Sequence, residues 1–343
     1  MPQTLTSLTD LACLPFDEII DVRSPSEYAE DHVPGAINLP VLTDAERARV
    51  GTIYVRQDRF LARKVGAALV SRNAAAHLEG PLANRDGGWR PLVYCWRGGQ
   101  RSGSFTGILL QIGWRADTIA GGYKSYRRLV VGALYDTPLA ARLVVIDGGT
   151  GTAKTRLLAH IAAQGGQVLD LEAMAQHRGS VFGPVGGPQP SQKMFESRLA
   201  AAISVLDPTR PVHVEAESSK IGQLNLPESL WKAMIAAPRL RLTAPLEARV
   251  RHLVHAYADL VEDPAQLETV LQKLTRYHGH AQVAAWQALA QAGDFAQLAG
   301  ELVVQHYDPR YARLSRSAAQ EVLDLPDLED ETLARTAARM IAG

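Results

Sequence analysis

A chain of 343 residues exceeds one ordinary core and fits two domains of about 150 residues each. With 46% hydrophobic and 21% charged residues, the composition is that of a globular protein and excludes a disordered or fibrous one. Lys+Arg and Asp+Glu both number 36, so bulk charge exerts no long-range pull on nucleic acid, and any RNA contact must come from a local patch.

Cys13 and Cys95 are the two cysteines, too few for a disulfide framework and consistent with a reducing compartment. The opening MPQTLTSLTDLACLPF lacks a basic stretch followed by a continuous apolar run, so no signal peptide is expected. No window offers about 18 uncharged apolar residues, so no membrane partner is expected. The expected location is the cytoplasm.

In chain order, DEIIDVR (17–23) predicts a strand, and HVPGAINLP (32–40) a turn and a second short strand. Residues 43–75 are compatible with long helices, and GPLANRDGGWR (80–90) with a loop. PLVYC (91–95) is an apolar strand ending at Cys95, SGSFTGILLQIGW (102–114) a helix stopping at Gly113, and DTIAGGY (117–123) a returning strand and turn. Residues 132–141 suit a linker. RLVVID (142–147) begins a new strand, GGTGTAKT (148–155) a Gly-rich turn, and RLLAHIAAQ a helix. VLDLE (168–172), PVHVEAES (211–218) and RLRLTAP (239–245) follow as strands, and nearly everything beyond Pro245 is expected to be helical. Strand–helix alternation of this kind implies α/β architecture with parallel sheets: one domain over 1–137, then a P-loop-like α/β domain over 138–343 with a helical C-terminal part.

Two loops carry chemistry. Cys95 sits where an apolar strand runs into CWRGGQRS, at the start of a helix. Amides of the Gly-rich turn and of the helix start make a positive concavity, to which Arg97 and Arg101 add full charges. All three effects should hold the thiol below its free value of about 8.5 and cradle an anionic group at the sulfur. Gly148, Gly149, Thr150, Gly151, Thr152, Ala153, Lys154 and Thr155 nearly match G-x-x-x-x-G-K-[ST], with Ala153 replacing the last glycine. Ala153 is expected to need only helical dihedrals. In that geometry the amides hold a di- or triphosphate, Lys154 reaches its terminal oxygens, and Thr155 can ligate Mg²⁺. Glu215 and Glu217 stand where a second P-loop acid would, or are solvated strand ends. His177, Arg178 and Ser180 lie in a Gly/Pro-rich loop of a kind that often carries function. Lys124 and Arg127 follow Gly121-Gly122 and are candidates to meet a donor or an RNA backbone. Arg249 and Arg251 are expected on the open face of a helix whose apolar stripe includes Val250, Leu253 and Val254, and with Arg276 and Tyr277 they complete the candidate RNA contacts. The ten histidines and two distant cysteines show no metal-ligand spacing, so no structural zinc is expected.

DVRSPSEYAEDHVPGAINLP (21–40) and YCWRGGQRS (94–102) resemble the rhodanese signature and active-site loop. Arg101 stands six residues after Cys95, where common sulfurtransferase loops place the arginine at five; the longer ring resembles the rhodanese-fold phosphatases and suggests a bulkier donor. AGGYKSYRR (120–128), HRGSVFG (177–183), QPSQKMFESRL (189–199), VEAESSKIG (214–222), RYHGHAQVAAW (276–286) and HYDPRY (306–311) then resemble the bacterial tRNA 2-selenouridine synthase family from about residue 15 to 315. The resemblance implies modification of wobble uridine 34 in the tRNAs for lysine, glutamate and glutamine. 2-Thiouridine becomes 2-selenouridine with selenophosphate as donor, through an S-geranyl-2-thiouridine made from geranyl diphosphate. It implies that the P-loop holds the prenyl diphosphate and that Cys95, Arg97 and Arg101 act on the selenium donor, with the thiolate attacking selenophosphate to become selanylated. No tightly bound cofactor is implied. The competing readings are a phosphatase or sulfurtransferase fused to a P-loop kinase or ATPase, and a non-catalytic, redox-sensing RNA-binding module.

Overall fold

The computed structural model describes all residues except 184, 315–320 and 343. Their contacts gather into two compact units, Met1–Pro138 with Pro190–Val205, and Leu139–Gln189 with Leu206–Gly343. By chain position the helix Gln192–Ser204 falls in the P-loop stretch, but it belongs to the first unit. Its buried Glu196 explains why: the carboxylate accepts from Tyr135 Oη at 2.8 Å and is ion-paired to Arg127.

The first unit is built on four parallel strands, β1 (Glu18–Asp21), β2 (Ile37–Asn38), β3 (Pro91–Tyr94) and β4 (Asp117–Thr118), in the order β2-β1-β3-β4. β3 is central and buried along its whole length, which its unbroken apolar run requires. The helical stretch expected over 43–75 is two helices, Asp44–Arg56 and Arg59–Glu79. Thr43 caps the first by accepting from Glu46 N, and Asp58 the second by accepting from Leu61 N. Residues 132–136, expected as linker, continue the helix Gly122–Val131 as a wider π-type turn.

Arg23 is almost fully buried at the end of β1. Its guanidinium donates to the Asp21 carboxylate at 3.0, 3.0 and 2.6 Å and to Asp31 O at 2.5 Å, and lies 4.0 Å from the Tyr123 ring centroid. One cation thus ties a strand end, a helix end and the segment after β4.

The second unit has the parallel strands β5 (Arg142–Gly148), β6 (Gln167–Leu169), β7 (Pro211–Glu215), β10 (Arg239–Thr243) and β11 (Glu321–Asp324), in the order β11-β10-β5-β7-β6. A short antiparallel hairpin joins β8 (Lys220–Ile221) to β9 (Leu224–Asn225). One expectation changes and one gains an exception. The strand expected over 168–172 stops at Leu169, because Asp170 accepts from Ala173 N and caps the helix Leu171–Ala175. Beyond Pro245 nearly all of the described chain is helical, as expected, and β11 is the exception: it pairs with β10, and Leu325 and Leu328 just after it are buried in the core. Four apolar-polar residues are too few for periodicity to announce a strand. The C-terminal helices gather around Trp286, whose Nε1 donates to Glu301 at 3.0 Å. No helix among the described residues is long and apolar enough to cross a membrane.

Removing one member of the Arg23–Asp21 pair strands a buried charge. Arg23→Met should destabilise the first unit by about 3–5 kcal/mol, and Asp21→Asn added to it should recover part of that loss, both read by urea unfolding.

Candidate functional site

Each unit ends a buried strand in a Gly-rich turn, and the candidate residues collect there. In the first unit Cys95 follows β3 and is 3% exposed. The turn after it is clamped by backbone. Tyr123 N donates to Cys95 O at 2.9 Å and Lys124 N to Trp96 O at 3.0 Å. That approach leaves no space for side chains at two positions. A Cβ on Gly122 (φ +57) would lie 2.2 Å from Cys95 O, and one on Gly98 (φ +64) 2.8 Å from Ile119 O.

The sulfur is surrounded by donors. Gly99 N donates to Sγ at 3.3 Å, and Ser102 Oγ lies 3.2 Å from it. Arg101 is held beside the ring by Glu27, to which its guanidinium donates at 2.7 and 3.4 Å. Arg97 is exposed. Burial pushes the Cys95 thiol up, but the Ser102 hydroxyl and amide, the Arg101 charge and the Arg97 amide outweigh it, and the net shift is downward. Trp96, 37% exposed, packs against Tyr123 in a tilted arrangement with centroids 5.1 Å apart, and Lys124 is exposed. Arg127 is not available to a donor or an RNA backbone: it is ion-paired to Glu196 and Asp31 and donates to Lys193 O at 3.1 Å. Its partners lie far away in sequence, out of reach of local pattern.

In the second unit the turn after β5 carries Gly148 (φ +149) and Gly151 (φ +84) in backbone that favours glycine. Ala153 is there too, at φ 57 and ψ 33, so it does not take the helical dihedrals expected of it. An L side chain in that region costs about 1–2 kcal/mol. Lys154 Nζ donates to Gly148 O at 2.9 Å and Gly149 O at 3.4 Å, and Thr152 Oγ1 to Gly149 O at 2.9 Å. Arg249 leaves the open face assigned to it and braces this turn, donating to Thr150 O at 3.0 and 2.7 Å and to Asp308 at 3.0 and 2.6 Å.

A cavity of about 780 Å³ opens on the turn, lined by Thr150 to Arg156 together with His177, Arg178, Ser180, Glu172, Glu217 and His252. The structure thereby joins the P-loop to the 177–180 loop. His177 Nδ1 accepts from Gly179 N at 3.0 Å, and burial lowers its pKa. Arg178 lies 4.6 Å from the Tyr257 ring centroid and pairs with Asp259 at 2.7 Å. Ser180 Oγ accepts from Phe182 N at 3.2 Å. Burial, then the charge of Arg156, lowers His252 to about 4, so it presents a neutral ring to the cavity.

The acids are not solvated strand ends. Glu215 is fully buried and accepts from Glu172 N at 2.8 Å. Burial, then the neighbouring Glu172 charge, pushes Glu217 up to about 8. Glu172 itself is raised, chiefly by burial, and accepts from Thr155 Oγ1 at 3.3 Å. Among the described residues no cluster of three or more His, Cys, Asp or Glu is disposed to hold a metal ion. Mg²⁺ at Thr155 and Glu172 would take its remaining oxygens from phosphate and water, its usual habit.

Of the other RNA candidates, Arg251, Arg276 and Tyr277 are exposed. Tyr277 lies between two guanidiniums, Arg276 at 4.4 Å and Arg310 at 4.0 Å from its ring centroid. Sequence reasoning missed Ser102, Glu27, Glu172 and Arg310. Only Ser102, next to Arg101, was within reach of motif reading.

Comparison with known proteins gives concordant matches. The family model for the tRNA 2-selenouridine synthase AAA domain matches residues 141–335, and that for the rhodanese-like domain matches residues 4–129. A tRNA 2-selenouridine synthase from Nitrosomonas europaea is 38% identical over 250 residues, covering 70% of this chain and 63% of that one. One from Hahella chejuensis is likewise 38% identical over 250 residues, with 70% and 63% covered. Both matches span less than two thirds of the relative's length. One from Chromohalobacter salexigens is 34% identical over 348 residues, covering 91% of each chain.

The raised Glu217 pKa fixes a pH dependence. Between its unfolded value, 4.5, and about 8 the unfolded chain gives up a proton that the folded one keeps. Stability therefore falls as pH rises through that window, and the full cost is present above it. Glu217→Gln should flatten this slope and raise the thermal midpoint at pH 8.5, with little change at pH 5, as read by calorimetry.

Proposed function

The chain belongs to the tRNA 2-selenouridine synthase family, and we propose that it replaces the sulfur of 2-thiouridine with selenium at wobble uridine 34 of tRNA. Selenophosphate is the donor, geranyl diphosphate supplies an S-geranyl intermediate, and the substrates are the tRNAs for lysine, glutamate and glutamine.

One observation favours a prenyl diphosphate over a nucleotide at the P-loop. A second, almost wholly apolar cavity of about 70 Å³ adjoins the first, and the two share Thr150, Leu253, Tyr257 and Tyr307. Its far wall is Leu260, Leu267, Phe295 and Leu298. A ribose and a base would bring polar atoms there without partners, whereas a hydrocarbon tail loses nothing. The space is roughly half that of a cavity that takes benzene, about 150 Å³, so it takes at most the dimethyl end of a prenyl chain. The rest of a geranyl group would lie in the larger cavity.

The chemistry follows from the two turns. Turn amides and Lys154 neutralise the diphosphate as the C1–O bond of the prenyl donor breaks, and the thiocarbonyl sulfur of the base attacks C1. Alkylation turns that sulfur into a leaving group and makes C2 electrophilic. Selenium delivered from the Cys95 site, where Arg97 and Arg101 face an anionic donor, adds at C2 and the geranyl thiolate departs. Exposed Lys124, Arg251, Arg276 and Tyr277 are the residues assigned to RNA.

Incubation with 2-thiouridine-containing tRNA, geranyl diphosphate and selenophosphate, followed by nucleoside mass spectrometry, tests this. The wild type should give 2-selenouridine, Cys95→Ala should stop at the geranylated nucleoside, and Lys154→Ala should make neither. Absence of both products with the wild type sinks the assignment. Equal loss of both in Cys95→Ala sinks the division of labour.

A further inference from the structure

We propose, resting on the selenophosphate-dependent reading above, that Cys95 accepts the phosphoryl group of the selenium donor and not its selenium. Electron balance is the first argument. In a selenophosphate the selenium is fully reduced and the phosphorus fully oxidised. Attack of the thiolate on selenium with departure of phosphate forms an S–Se bond and leaves two electrons to be removed. The proposed reaction names no oxidant for them. Attack on phosphorus needs none: the Cys95 S–P bond forms, the P–Se bond breaks, and selenium leaves as selenide with the bonding pair, taking up a proton. Water then cleaves the S–P bond, returning the thiolate, phosphate and a proton. The selenide adds at C2 of the S-alkylated base and expels the thiolate, so the whole sequence is redox-neutral.

Geometry is the second argument. Five residues separate Cys95 from Arg101; at the start of the helix Gln100–Ile112 the Gly99 amide donates to the sulfur at 3.3 Å, and the charge of Arg101 acts on it. Such an array matches three oxygens spread around a phosphorus under attack. A lone selenium atom on sulfur would offer those donors no oxygen to bind. Glu27 fixes the Arg101 fork through contacts at 2.7 and 3.4 Å, and Arg47 reaches the same carboxylate at 3.1 Å.

Ser102 supplies the third argument. Its hydroxyl, 3.2 Å from Sγ, and the Gly99 amide, 3.3 Å from it, stabilise negative charge on sulfur. A phosphorus-attacking thiolate needs that stabilisation twice, when it attacks and again when it leaves. The charge-stabilising pair is thus placed for a cysteine that is both nucleophile and leaving group.

The test mixes the full chain with selenophosphate, with and without RNA carrying S-geranyl-2-thiouridine. Acid quench within the first turnover is followed by mass spectrometry of the Cys95 peptide and, in parallel, of the nucleosides. A phosphoryl group on Cys95 is expected. It should be lost in Cys95→Ala and should accumulate in Ser102→Ala, where the thiolate leaves more slowly. Its appearance without RNA shows that free selenophosphate is the substrate; appearance only with RNA shows that phosphoryl removal follows attachment of selenium to the base. Selenium on Cys95 without phosphoryl overturns the proposal. So does selenated nucleoside formed while Cys95 stays bare in both the wild type and Ser102→Ala. The parallel nucleoside readout separates these results from failure of the functional reading, which gives no selenated nucleoside at all.

Discussion

Both candidate sites depend on one constraint: where a parallel strand stops and a helix starts, backbone amides have no intrahelical partner and point into the turn between them. The chain uses this twice, after β3 at Cys95 and after β5 at Gly148. A thiolate and a diphosphate are different ligands, but each is an anion that a ring of amides can stabilise without burying an uncompensated side-chain charge. The full charges, Arg101 in one site and Lys154 in the other, are added to that field and do not create it.

The cost of the arrangement is backbone fit. At the first site two segments approach so closely that only glycine fits at 98 and 122. At the second, Ala153 accepts a left-handed conformation in which glycine would be unstrained. Side chains then hold the turns from behind. Glu27 orients Arg101, Arg249 and Asp308 fasten the Thr150 peptide, and Glu172 meets Thr155. Stability is also spent on the buried Glu172, Glu215 and Glu217, which burial keeps from ionising in the ordinary range.

What was legible in the sequence was whatever is local. PLVYC followed by a Gly-rich turn and an apolar helix places Cys95, and RLVVIDGGTGTAKT places Lys154, because strand, turn and helix are neighbours in the chain. The α/β class follows from the same alternation. What was hidden depends on distant partners. Nothing near Arg127 or Arg249 announces Glu196 or Asp308, 69 and 59 residues away, so the sequence offers Arg127 to a donor or RNA backbone and Arg249 to an open helix face, and neither is free for that role. Glu172 was hidden differently: VLDLE alternates like a strand, and the capping role of Asp170 decides the matter. β11 was lost because four residues cannot display a period.

The central claim is that the P-loop turn serves only alkylation, while selenium delivery belongs to the Cys95 turn. It is tested most directly by giving Lys154→Ala an RNA that already carries S-geranyl-2-thiouridine, together with selenophosphate, and measuring 2-selenouridine formed per turnover. The account predicts selenation at the wild-type rate, because the step that needs Lys154 has been bypassed. A variant as inactive on this RNA as on the unalkylated one, while still folded, would contradict it.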